Sequence, residues 1–341
     1  MLTQPTGLDS GQRSRKLLRL MFYRGLFLLL QLFLIAIMIA PILTTSAGPW
    51  WLDNLVGLQW QWGILAMLSL VAGLRLLPAI ALWLLPVYTV LLLVNFAGLY
   101  VPTEPANKSS ADFSIGQLNL RYDNPHAMAI FSALLEANHD LIIIQEVSDR
   151  QVALLESLRH RYPYAMGSMS VSGHSPGHVL LSKWPLRKRR IHNLGYADGS
   201  VIDAEFVPGD QGPAVRILAL HPAAPRTRVF WQLRNSTLAF IAREVGSSQL
   251  PRQVVVGDLN ATPWSAAFRQ LLRDGELSGS GNGDGYLPTW SWFNSIPVLG
   301  LLTSAYIDHC LVSPSIAVRG KALRFIEGSD HLLIENSLEL N

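Results

Sequence analysis

One cysteine in 341 residues excludes an intrachain disulfide, so packing and not cross-linking must hold this chain together. Charge is scarce too. Only 15% of the residues are Asp, Glu, Lys or Arg, against roughly a quarter in an ordinary soluble domain. His and Cys nowhere cluster at zinc-ligand spacing, which excludes a structural zinc module. There is no internal repeat or low-complexity tract, which excludes a solenoid. The shortage of charge is uneven. Apolar residues crowd into the first hundred positions, while 107–341 has globular composition and, at roughly 235 residues, can bury a core of its own. The pI near 9.1 corresponds to a net charge of only +3. Much of that charge lies in the N-terminal tail, so it reports membrane topology rather than affinity for nucleic acid.

The tail, residues 1–24, carries Arg13, Arg15, Lys16, Arg19 and Arg24. A transmembrane region is expected at 25–100, as apolar runs at about 25–44, 55–74 and 76–100. At ~1.5 Å per residue each approaches the ~30 Å of a hydrocarbon core. Trp50, Trp51, Trp60, Trp62 and Tyr100 fall at the ends of these runs, where amphipathic rings favour the headgroup layer. A cleaved signal peptide is the competing account of the first run. The run is too long for one, and two more follow without a small-residue cleavage site. The second run, with Gln59 and Gln61, is the weakest. Basic residues precede the first run and none occurs in Ser46–Asn54, so the positive-inside rule puts the N-terminus in the cytoplasm. Three crossings then deliver residues 101–341 to the outer side. One crossing fewer would leave them in the cytoplasm. The polar linker 101–112 is short and keeps the soluble domain, 113–341, close to the bilayer.

Within that domain, Val254-Val-Val-Gly-Asp-Leu-Asn-Ala-Thr-Pro263 is the organising stretch. Three Val residues read as a buried strand. Asp258 and Asn260 follow two apart, on one side of the extended chain. Thr262 and Pro263 are expected to start a helix over 264–272. Other strands end on chemistry as well. Phe113–Asn119 alternates and stops at Asn119, and Asp140–Val147 is the clearest buried strand and carries Glu146. That carboxylate is either an acid at the N-terminus of a helix over 149–160 or a cation ligand. Strands are expected at 177–185, closed by a Pro turn, 200–207, 214–220 and 305–313, and helices at 125–138 and 227–245. His221, Asp308, His309, Asp330 and His331 lie at or beside strand ends. Residues 278–300 lack periodicity and read as a loop bearing Trp290, Trp292 and Phe293. Strands joined by hairpins, with helices between them, indicate an α/β sandwich of sheets rather than a doubly wound parallel sheet.

Taken in order, Asn119, Glu146, the Gly177–Pro185 strand, His221, Gly257-Asp-Leu-Asn260, Ile307-Asp-His309 and Ser329-Asp-His331 resemble the endonuclease/exonuclease/phosphatase superfamily of the DNase I-like fold. Apurinic endonucleases, neutral sphingomyelinases and inositol polyphosphate 5-phosphatases belong to it. With the membrane runs ahead, the chain looks most like the bacterial membrane-anchored branch of teicoplanin-resistance membrane proteins. The resemblance implies a four-layer α/β/β/α sandwich after an all-α transmembrane region of about three helices. It also implies hydrolysis of a phosphoester with Mg²⁺ or Mn²⁺. By the same resemblance Glu146 is the main metal ligand, assisted by Asn119, with Asp330 at the metal or just behind it. Asp258 is the acid that handles the attacking water, and Asn260 holds phosphate and orients its neighbours. His331 contacts the scissile phosphate, Asp308 orients it, and His221 is a second phosphate contact. His309 stands where many members have Tyr.

The chemistry agrees. An in-line water needs a base, and the phosphate oxygens need their charge neutralised. The expected partners are therefore the lipid bilayer and a phosphorylated substrate, lipid-linked and outside the cytoplasm of a bacterial inner membrane, with no obligate protein partner. A membrane-anchored nuclease is the alternative, disfavoured because 113–341 lacks a dense Lys/Arg stripe beyond Lys183–Arg190. An inactive sensor of the same fold is the second alternative.

Overall fold

Local sequence dictates most of the elements. The computed structural model describes residues 10–44, 48–102, 111–122, 124–168, 177–196, 199–209, 212–293 and 296–341. The first nine residues of the tail and 103–110 of the linker lie outside them. The chain divides into two compact units, residues 1–43 with 58–97, and residues 44–57 with 98–341.

Among the described residues the first unit contains three helices, α1 (Ser10–Leu43), α3 (Gln59–Leu76) and α4 (Pro78–Tyr100), the last of which ends in the second unit; the short α2 (Trp50–Val56) lies wholly in the second. α1 and α4 are each long and apolar enough to cross a membrane. α2 and α3 would supply a third crossing only if taken as one span, bent by 65° at the break between them. The polar residues of α3 are used internally. Gln59 donates to the Ile37 carbonyl at 3.0 Å. Gln31 donates to Ser69 at 3.1 Å and accepts from Tyr88 at 2.8 Å. Such bonds between helices suit segments that must satisfy themselves without water.

The second unit is built on fourteen strands among the described residues. In chain order β1 (Phe113–Asn119), α5 (Ala127–Ala137), β2 (Leu141–Val147), α6 (Asp149–Leu155), β3 (Tyr164–Ser168) and β4 (Gly177–Ser182) come first. They are followed by β5 (Arg187–Asn193), β6 (Ser200–Phe206), β7 (Val215–Leu220), α7 (Arg228–Gly246), β8 (Gln253–Asp258), α8 (Ala266–Asp274) and β9 (Ser278–Gly279). The chain closes with β10 (Trp290–Ser291), α9 (Pro297–Leu302), β11 (Ser304–Ala305), β12 (Asp308–Val312), β13 (Ile316–Arg324) and β14 (Leu333–Leu340). Two six-stranded sheets result, ordered β13-β14-β1-β2-β4-β3 and β5-β6-β7-β8-β12-β9. The pairs β1/β2 and β7/β8 are parallel; the other neighbours within these sheets run antiparallel.

Alternation explains the layering. In β2, Leu141 and Ile143 enter a core shared with Ile217, Val254 and Val256 of the other sheet. Ile142 and Ile144 point the opposite way, onto Ile130, Phe131 and Leu134 of α5. In β8 the middle valine, Val255, faces Leu238 and Ile241 of α7. These central strands are apolar on both faces because both faces are covered. The outcome is the four-layer α/β/β/α sandwich of the DNase I-like fold.

Two local expectations change. The helix after the Gly-Asp-Leu-Asn stretch begins at Ala266, with Ser265 and not Thr262 as its N-cap residue. Residues 278–300 are not all loop, since they hold β9, β10 and the start of α9. Their short pairings lack enough residues to show a period.

Candidate active site

The chemistry-bearing residues sit at ends of strands in both sheets because of register. Asn119 closes β1 opposite Gln145 of β2. Asp258 closes β8 opposite Asp308, the first residue of antiparallel β12. His221 follows directly on β7, the other neighbour of β8. In β2 the pairing with β4 slips between Ile144 and Val147, and Glu146 sits at φ +58°. This bulge turns the carboxylate out of the Ile run and toward the site. The helix that follows is closed by its own residues, with the Ser148 amide donating to Gln151 Oε1 at 2.9 Å. Glu146 is therefore not needed as a helix cap.

Asn119 is the link between the acids. Its Nδ2 donates to Glu146 Oε1 at 3.0 Å and to Asp258 Oδ2 at 3.1 Å. The other Glu146 oxygen accepts the Tyr122 amide at 2.8 Å. His221 Nε2 lies 3.7 Å from Glu146 Oε1 and 3.5 Å from Asp258 Oδ2. Asp258 Oδ1 accepts the Asn260 amide at 2.9 Å, and the Asn260 side chain donates to the Pro222 carbonyl at 3.0 Å. Asn260 thereby pins the segment after His221 to the loop after Asp258. Two carboxylates converging on one amide group and a histidine form a hard, anionic oxygen set. It fits Mg²⁺ or Mn²⁺, ions that take one or two protein carboxylates and leave room for substrate oxygens.

Opposite them stands a buried pair. His331 Nδ1 meets Asp308 Oδ2 at 2.8 Å, and Nε2 lies 3.9 Å from Asp258 Oδ2. Asp308 also accepts from Thr289 Oγ1 at 2.7 Å and from Gln117 Nε2 at 2.9 Å. Burial opposes the charge on His331, but Asp308 outweighs it and raises the ring to about 10. Asp258, Asp308 and His331 lie close enough to suggest a metal trio. A protonated imidazole with Nδ1 bonded to a carboxylate is a donor and not a ligand, and His331 meets Asp308 in that way beside the oxygen set. A second such group, His192, Asp203 and Glu244, already surrounds a cation. Arg216 binds Asp203 with both arms at 2.9 and 2.8 Å and Glu244 at 2.9 Å.

The pairing of His331 sets a testable pH dependence. A folded value above the ordinary 6.5 means that its stabilisation is complete below that value and is lost as pH rises through about 10. Asp308→Asn removes the largest of the charges that oppose burial and leaves Asp258 and Asp330 against it, so the His331 value should fall well below that of the wild type. Imidazole chemical shifts followed against pH in the full chain read this directly. Retention of the wild-type titration would show that Asp308 is not the cause.

The structure gathers seven of the eight sequence-predicted residues, namely Asn119, Glu146, His221, Asp258, Asn260, Asp308 and His331, into this bonded group. Asp330 stands at its edge, accepting Trp290 Nε1 at 3.0 Å and adding to the negative charge around His331. His309 lies outside the chemistry. It stacks on Tyr306, bonds the Ala261 carbonyl at 2.8 Å, and is held down near pKa 3 by burial. Thr289, Gln117 and His178 were missed. Gln117 could have been found, since it lies two residues before Asn119 on the same strand face. Thr289 sits in a stretch without period and gave no signal. His178 is buried, which with its neighbour His221 pushes it to about 3, and only tertiary packing makes it notable.

Comparisons with known proteins place these features in a wider setting. Residues 116–331 match the model of the Endonuclease/Exonuclease/phosphatase family. No curated protein matches the sequence. Among solved structures, the 3′ phosphatase NExo from Neisseria bound to product DNA hairpin is 17% identical with a TM-score of 0.53, covering 67% of this chain and 99% of its own. An endonuclease/exonuclease/phosphatase from Beutenbergia cavernae is 18% identical with a TM-score of 0.55, covering 67% and 72%. Truncated TDP2 from Caenorhabditis elegans is 18% identical with a TM-score of 0.51, covering 67% and 97%. At such identities the likeness is one of fold.

Proposed function

Because the chain belongs to the endonuclease/exonuclease/phosphatase family, we propose that it is a membrane-anchored phosphoester hydrolase whose substrate is a lipid-borne phosphate. The observation that carries the lipid part is an apolar surface next to the site. Trp292 and Val298 are each 72% exposed, and Phe293, Ile296, Leu299, Leu301 and Leu302 are exposed beside them in sequence. Soluble surfaces rarely leave so many apolar groups together without a partner. This segment leads away from Trp290, which bridges to His331 and donates to Asp330. The alternative, DNA, has weaker support. The basic strand β5 is the far edge of its sheet, three strands from β8 or roughly 14 Å at ~4.8 Å per strand. Its Lys188 is already paired with Glu205.

Glu146, with Asn119 beside it, would hold a divalent cation, which when bound would supply neutralisation of charge on the phosphate. Asp258 takes the proton of the attacking water, its carboxylate aimed by the Asn260 amide and by Asn119. His331, kept as imidazolium by Asp308, donates from Nε2 to a phosphate oxygen and stabilises the charge that develops there. His221, like His331 near Asp258 Oδ2, supplies a second phosphate contact. Asp330 holds Trp290 in place.

The proposed location is the outer side of a bacterial cytoplasmic membrane. Residues 44–57, between the first two apolar helices, and everything from Gly98 onward belong to one compact unit, which supports an even number of crossings between them. The basic tail then favours a cytoplasmic N-terminus and an external catalytic unit.

The purified full chain with Mg²⁺ is expected to release phosphate or headgroup from phospholipid or polyprenyl phosphates in mixed micelles. Nicking of plasmid DNA with no lipid turnover would favour the nuclease. Silence on both substrates would sink the enzyme reading and leave the sensor.

A further inference from the structure

Asp53 lies far from the catalytic residues in sequence, in the short helix α2 between the first two apolar helices. Nothing in its local sequence marks it as more than a helix N-terminal acid. In the fold its side chain is only 6% exposed within the catalytic unit. Its Oδ2 forms a close ion pair with Arg234 Nη2 of α7, accepts Trp231 Nε1 at 3.1 Å and accepts Ser265 Oγ at 3.3 Å. The adjoining Asn54 donates to the Pro225 carbonyl at 2.9 Å. Arg234 is itself only 2% exposed. A buried guanidinium without its carboxylate would be an uncompensated charge, so the two residues require each other.

The second arm of Arg234 reaches the chemistry. Nη1 donates to the backbone carbonyl of Asn260 at 2.9 Å. Asn260 sits at φ +48°, a left-handed conformation that asparagine tolerates better than most residues. The amide of this same residue donates to Asp258 Oδ1, and its side chain ties down Pro222 beside His221. One fork therefore connects Asp53 to the carbonyl side of Asn260, and Asn260 in turn aims Asp258.

From this geometry we propose that Asp53 is a positioning residue of the active site, acting through Arg234 to fix the Asn260 peptide and with it the direction of the Asp258 carboxylate. The segment between the first two apolar helices is on this account a working part of the catalytic unit, and a fragment beginning at residue 113 lacks it. The structural part of the proposal stands on the contacts alone. Its kinetic part rests on the hydrolase reading given above.

The test compares full-length wild type, Asp53→Asn and Arg234→Lys in detergent micelles. Lysine keeps a charge for Asp53 but cannot span both acceptors, because a single ammonium replaces the two-armed fork. In both variants the backbone amides of 259–261 should exchange hydrogen about tenfold faster, while those of Ile142–Ile144 keep their wild-type rate. With Mg²⁺ and bis(p-nitrophenyl) phosphate as the probe, kcat should fall about tenfold at nearly constant KM, since geometry and not binding is lost. Unchanged exchange at 259–261 in Arg234→Lys, or acceleration spread evenly over both sheets, would overturn the proposal. If Asp53→Asn does not fold, Arg234→Lys decides alone. Absence of turnover in the wild type would count against the hydrolase reading, and the exchange measurement would still decide this one.

Discussion

Asp258→Ala is expected to lower kcat of the full chain by about 10³-fold with Mg²⁺ present, within the range that general acid–base groups contribute. Asp258 is 2% exposed at the end of β8. Four neighbours aim at its carboxylate: Asn119, the Asn260 amide, His221 and His331. Alanine leaves all four without their shared acceptor and removes the oxygen that would take the water's proton. Asp258→Asn separates the two effects. It preserves volume and one acceptor oxygen, so the loop should stay ordered while turnover remains as low as in alanine. Recovery of more than about a tenth of the wild-type rate in Asp258→Asn would show that Asp258 orients rather than accepts a proton.

The largest stability effect is expected one residue earlier. Gly257 sits at φ +149°, and a Cβ added there would lie 2.0 Å from the Leu220 carbonyl oxygen. That oxygen belongs to β7, whose backbone is paired with β6 along its length, Leu220 included, and with β8 from Arg216 to Ala219, so it has little room to step aside. Gly257→Ala combines a strained φ, about 1–3 kcal/mol, with overpacking, about 1–3 kcal/mol. A loss of about 4 kcal/mol should lower the unfolding midpoint of the catalytic unit by about 10 °C. Gly320→Ala is the matched control. The nearest atom to its added Cβ would be 3.8 Å away, an ordinary contact, and its midpoint should stay within about 2 °C of wild type. Thermal scans of both variants in the same detergent give the comparison. Equal behaviour would mean that the close approach of β7 is not what requires glycine at 257.

These two neighbouring positions show how far sequence alone reaches. A run of three Val, a Gly, then Asp and Asn two apart is a local pattern. It locates a buried strand, its end and a shared face from side-chain alternation. The same reasoning located β1, β2, β6, β7 and α7 within a residue or two. It failed by two residues at α8, because Ser and Thr are both good N-caps and only packing chooses between them. It left Glu146 between two roles, since a bulge and a positive φ are set by the pairing of β2 with β4 and not by the run of Ile.

Composition and periodicity by themselves determined that an apolar region precedes an α/β sandwich, and in what order the polar strand ends occur along the chain. They could do so because burial of apolar residues and the alternation of side chains are properties of neighbouring residues. The tertiary structure alone decided which of those ends meet. Asn119 lies between Glu146 and Asp258, Thr289 and Gln117 converge on Asp308, and Asp53 reaches the floor of the site through Arg234. Such contacts join residues up to 191 apart in sequence. No local pattern encodes them, because they are fixed by sheet register and by the requirement that a buried charge find its partner.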